Sequence, residues 1–184
     1  MKYFLYALLL VSLPAIAEEK ASDNRPAYES LQDSVKAISS DLDAANKQHF
    51  GQIYGTYALI NTVKTVQNDV DTAVSACVDN NPDMKDKMSA QFDDWKAAIT
   101  PVMDEAQAKV DNMVAVQDYA DKAQFDTLFK AIDATRTETD NQIKKIPVTT
   151  PESCTYLTNK MDETQKNLSN LLRQTLASYP VKSE

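Results

Sequence analysis

Between Tyr28 and Cys77 the apolar positions fall into two series, each stepping by seven. One runs Tyr28, Val35, Leu42, His49, Thr56, Val63, Val70, Cys77; the other runs Leu31, Ile38, Ala45, Gln52, Leu59, Val66, Ala73. Both keep one phase throughout, which is how a long helix buries a single seam. The pattern is weakest from residue 46 to 55. There the seam turns polar at His49, Gln52 and Thr56, and the only two glycines of the chain, Gly51 and Gly55, lie nearby. Phe50, Ile53, Tyr57 and Ile60 carry the apolar character one position over. Two arrangements satisfy this pattern: a helix unbroken to Val78, which the constant phase favours, or a helix that hinges near Gly51 and folds its first segment back.

Asp79-Asn80-Asn81-Pro82-Asp83 stops this helix and starts the next, with Asn81 suited to an N-cap and Pro82 to the first helical position. The second helix carries Met84, Met88, Phe92, Trp95, Ile99, Val102, Ala106, Val110 and Met113 at steps of three or four. The phase survives Pro101, so the helix is expected to kink there rather than end. A step of five from Ala120 to Phe125 marks a slip, and Asp121 with Gln124 has the form of a capping box. The turn is therefore placed at residues 118–121. The third helix holds Phe125, Leu128, Phe129, Ile132, Thr139 and Ile143 and ends before Pro147. Thr150-Pro151-Glu152 opens the last helix, which carries Leu157, Met161, Leu168, Leu171, Leu172 and Leu176.

These elements define an all-α protein: an antiparallel up-down helical bundle of four long helices, or five if the first breaks near Gly51. With so few glycines the turn chemistry of a β-fold is missing, as is any phosphate-cradling loop. The topology can be tested by the two cysteines. If the helices alternate up and down, Cys77 at the end of the first helix and Cys154 at the start of the last meet at one end. If 83–145 were a single helix they would lie at opposite ends. A Cys77–Cys154 disulfide is expected, and closing so long a loop would stabilise the fold by about 4 kcal/mol on the chain-entropy account.

The first residues change the picture of where the protein acts. Lys2, the apolar run Phe4–Leu13 and the small-residue site Ala15-Ile16-Ala17 form a secretory signal peptide over residues 1–17. The run is shorter than the roughly 20 residues a spanning helix needs. The expected organisation is signal peptide 1–17, a disordered segment 18–26, one helical-bundle domain 27–179 and a tail 180–184. Export to the periplasm or outside the cell agrees with a disulfide. Loss of Lys2 with the leader leaves 18 basic against 27 acidic side chains, one unit below the net charge of −8 of the whole sequence. That balance disfavours nucleic acid as a partner. No segment after the leader is apolar enough to insert in a membrane.

The residue inventory gives no catalytic constellation, so the expectation is not an enzyme. One histidine and two paired cysteines provide neither a nucleophile–base system nor a zinc set. His49 falls level with Met113 if the first two helices form a hairpin about residue 80. Such a pair could ligate haem iron or copper, although a polar layer of His49, Gln52 and Thr56 that sets helix register is the simpler reading. No cofactor or metal is called for. The same hairpin count leaves Tyr28, Leu31, Val35, Ile38 and Leu42 above the rest of the bundle if the first helix is unbroken. An apolar seam of that kind must be covered by a second copy, another protein or its own fold. The expected function is therefore protein–protein interaction or self-association through this N-terminal heptad helix. The alternative is a carrier of haem, metal or a small apolar ligand in the bundle interior.

Overall fold

A computed structural model describes residues 25–177. The expected signal peptide 1–17, most of the 18–26 segment and the 180–184 tail lie outside the described residues. Five helices follow in order: α1 (Arg25–Ser39), α2 (Ala44–Asn80), α3 (Lys85–Val116), α4 (Lys122–Gln142) and α5 (Pro151–Ala177), with one 3₁₀ turn at Pro82–Met84 before α3. Among the described residues there is no strand.

The break in the first long element is at Ser40–Asp43, not near Gly51. Asp43 has extended backbone and its side chain accepts from the Asn46 amide at 2.8 Å, which caps the start of α2. Ser, Asp and Asn compete locally for backbone groups, and three of the four break residues, Ser40, Asp41 and Asp43, are of this kind. The segment 46–55 is continuous helix. Gly51 and Gly55 sit inside α2 with nothing within 4 Å of where a Cβ would stand. The expected unbroken helix is therefore corrected: α1 folds back, and it does so at Ser40–Asp43, well before Gly51.

The helices alternate in direction. With the start of α2 as the top, α2 descends for 37 residues, or about 55 Å at 1.5 Å per residue. It is the hub, packing against α3, α5 and α4. Polar contacts give the levels. Gln91 of α3 donates to the Thr158 carbonyl of α5 at 2.9 Å, and Lys109 reaches the Leu176 carbonyl. α3 and α5 therefore rise side by side. α4 descends beside α2, joined by Tyr57–Asp133 and by Arg136 Nε donating to Thr65 Oγ1 at 3.3 Å. α1 rests mainly on α4 and runs opposite to it: Thr135 Oγ1 donates to the Ala27 carbonyl at 3.1 Å, and Gln124 Nε2 to the Ala37 carbonyl at 3.5 Å.

The core follows the predicted faces. Ile53, Ile60 and Val63 of α2, Met88, Trp95, Ile99 and Val110 of α3, Phe125 and Leu128 of α4, and Met161 and Leu172 of α5 are fully buried. α3 runs through Pro101 without ending. The Asp121–Gln124 capping box starts α4. Thr150 and Ser153 exchange hydrogen bonds before the first turn of α5.

At the bottom, Cys77 and Cys154 form a disulfide with S–S 2.12 Å and Cα–Cα 5.8 Å. Asn81 has no capping bond to the following turn. Its side-chain amide donates instead to the Cys77 carbonyl at 3.0 Å and the Thr149 carbonyl at 2.9 Å, tying the α4–α5 connection to the end of α2 beside the disulfide.

Candidate functional site

α1 has two apolar edges that meet different surroundings. Its inner edge, Ser34 and Ile38, is buried against the bundle, and the Ser34 hydroxyl is satisfied by the Ser30 carbonyl at 2.8 Å. Its outer edge, Tyr28, Leu31 and Val35, is only partly covered, and Tyr28 is 50% exposed. This edge and the start of α2 border an open groove of about 790 Å³. α1 contributes Tyr28, Leu31, Val35 and Lys36, and α2 contributes Lys47 and Tyr54.

The groove mixes the apolar area of Tyr28, Leu31, Val35 and Tyr54 with polar side chains, among them Gln32, Asp33, Lys36 and Lys47, so it carries charge of both signs. Lys36 and Lys47 are exposed and form no ion pair among the described residues. The Ser40 hydroxyl, at the groove's upper end, donates to the Lys36 carbonyl. No histidine or cysteine lines the groove. It offers aromatic and aliphatic area beside two lysines and one carboxylate, Asp33.

The predicted site residues are thereby distributed. Tyr28, Leu31 and Val35 line the groove, Ile38 is in the core, and Leu42 lies half-buried in the turn between α1 and α2. Lys36, Lys47 and Tyr54 were not expected. A lysine carries no apolar periodicity, and Tyr54 lies off the heptad seam, midway between Gln52 and Thr56.

His49 belongs to a different cluster at the top. Its Nδ1 lies 3.1 Å from the Tyr119 hydroxyl, with the two rings edge-on at 5.9 Å. Tyr119 in turn packs on Phe125, and Phe125 on Phe50 and Phe129. Burial pushes the Tyr119 hydroxyl up to about 12. The hairpin count that set His49 level with Met113 ignores the turn following α3, which brings Tyr119 to the imidazole. Met113 is buried in the core, Thr56 is buried, and Gln52 is half-buried. Among the described residues no group of three or more His, Cys, Asp or Glu side chains could hold a metal ion.

Below this cluster a polar strip joins α2 to α4. The Tyr57 hydroxyl lies 3.1 Å from both Asp133 carboxylate oxygens, and Asn61 Nδ2 donates to Oδ1 at 2.6 Å. Tyr57 stacks on Phe129 with centroids 4.0 Å apart. Its hydroxyl is pushed up to about 12, first by burial and then by the Asp133 charge and hydrogen bond. Lower still, Lys145 bridges Asp140 at 2.7 Å and Asp69 at 2.6 Å, and these partners hold its ammonium above the ordinary value. Every group in this strip is matched within the fold, so it reads as a helix-to-helix fastening.

No protein family model and no solved structure matches the chain. Among the described residues no helix is long and apolar enough to cross a membrane.

Proposed function

We propose that this is an exported, non-enzymatic helical-bundle protein that acts by protein–protein contact at the outer edge of α1. The observation that carries the reading is the groove itself: Tyr28, Leu31, Val35 and Tyr54 leave apolar area partly open to water between α1, which rests on α4, and the start of α2. Two tyrosines and two aliphatic side chains clustered among polar neighbours are the kind of mixed composition that contact surfaces use. Lys36 and Lys47, without an ion pair among the described residues, outnumber the one lining carboxylate, Asp33, and favour a partner segment that sets carboxylates beside an apolar face. The signal peptide and the disulfide support action outside the cytosol.

The test is the double substitution Tyr28→Asp with Val35→Asp. Tyr28 is half exposed, and Val35, though it packs against the core, is only half-buried, so the core is disturbed less than by a change at a fully buried site. A substitution at Ile38, by contrast, would damage the core. The expected outcome is at least 2 kcal/mol of lost binding, about thirty-fold, with helicity and the thermal midpoint kept. Unchanged association in a folded double variant would overturn the reading.

A further inference from the structure

The turn between α1 and α2 breaks a helix whose heptad phase continues across the break. Val35, Leu42 and His49 are seven apart, as are Leu31, Ile38 and Ala45. The turn residues Ser40–Asp43 include no glycine or proline and no positive φ. Any of them can take helical backbone without strain. α1 also packs mainly on α4 rather than on α2, to which the turn joins it. Opening the turn therefore releases α1 from α4 while α2 keeps its own packing.

We infer that α1 can swing out, continue α2 as one helix, and take the place of α1 on the α4 of a second copy, giving a dimer that exchanges its first helix. The directions match. In the closed chain α1 runs antiparallel to α4, with Ala27 beside Thr135 and Ala37 beside Gln124. A straight extension of α2 points the start of α1 outward, away from the top. A second copy turned end over end about a two-fold axis at the turn presents its α4 running outward as well. The extended α1 therefore meets that α4 antiparallel, as in the closed chain. The packing of α1 on α4 that opens within each chain is re-formed between chains, which is the condition for exchange at low energetic cost. The Asp43 cap opposes opening, because its bond to the Asn46 amide exists only while the turn is present. This uses the buried inner edge of α1, so it goes beyond the groove reading and does not depend on it.

The test combines two sets of substitutions in the full exported chain. Ser40→Ala, Asp41→Ala and Asp43→Ala remove the cap and favour continuous helix. Ala27→Cys with Thr135→Cys places a crosslink across the α1–α4 interface. Removing one cap per chain tightens dimerisation on the order of thirty-fold. Protein concentration is varied up to about a millimolar, the effective concentration a short connection confers on the closed form. The expected result is a dimer by light scattering whose engineered crosslink joins two chains on a non-reducing denaturing gel. The unaltered turn carrying the same cysteine pair should give mainly a crosslink within one chain. A turn variant that stays monomeric overturns the inference. So does a dimer that runs as single chains on the denaturing gel, which would mean self-association by another surface. Asp43→Ala alone, which leaves the rest of the turn intact, repeats the test if the triple substitution perturbs folding. Neither negative result bears on the groove, which Tyr28→Asp with Val35→Asp probes separately.

Discussion

Asp133 shows how one side chain fastens two helices. Its carboxylate takes the Tyr57 hydroxyl and the Asn61 amide, both from α2. Asp133→Ala leaves both donors without their acceptor and should cost about 1–3 kcal/mol in urea unfolding. Tyr57→Phe removes only the hydroxyl and keeps the ring on Phe129, so about 1 kcal/mol is expected. The same hydroxyl gives a pH dependence. Its folded value near 12 lies above the ordinary 10.0, so the fold favours the protonated form. That contribution is fully present below pH 10 and is lost as pH rises from about 10 to about 12. Tyr119 behaves alike. Tyr57→Phe should therefore make the alkaline loss of stability shallower without abolishing it, as followed by circular dichroism across that window. None of this was legible in the sequence. Tyr57 and Asp133 are far apart in the chain, and a paired Asp on a helix looks the same as a solvated one.

At the scale of elements, sequence succeeded where the signal is local and failed where two signals competed. The Asp121–Gln124 box, the Thr150–Pro151 start and the stop at residue 81 are each short stretches of cap chemistry, and each marks a helix boundary in the structure. The break before α2 was hidden because Leu42 continues the heptad phase, while two glycines downstream offered a more conspicuous hinge. What decides the matter is tertiary: the inner edge of α1 finds cover against α4, which carries Leu128, Ala131 and Ile132. The glycines are then passengers in a regular helix. Gly51→Ala and Gly55→Ala each meet open space and should raise stability by about 0.5–1 kcal/mol. Urea midpoints measure this directly. A loss at either position would mean that α2 needs to bend there.

For the whole molecule, the disulfide fixes the bottom of the bundle and α1 closes the top. The cysteine pairing was legible because alternating helix directions bring Cys77 and Cys154 to one end. The clip by Asn81 was not, because the same residue type in the same place predicts an N-cap. Reducing the bond opens a loop with sequence separation 77 and should lower stability by about 2–4 kcal/mol, seen as a fall in the thermal midpoint with added reductant. Helicity at low temperature should persist, since α2, α3 and α5 retain their buried faces. α1 contributes Ser34 and Ile38 to the interior and leaves Tyr28, Leu31 and Val35 at its outer edge. The proposed role at the surface rests on that division.

The most direct measurement is native mass spectrometry of the protein purified from cells that make it, beside the Tyr28→Asp, Val35→Asp variant handled identically. The account predicts assemblies of protein mass in the unaltered chain, with a second copy or a partner, that are depleted about thirty-fold in the variant. Assemblies that persist unchanged in the variant, other than a dimer that exchanges α1, would contradict it. So would an unaltered chain found only as a monomer at every concentration.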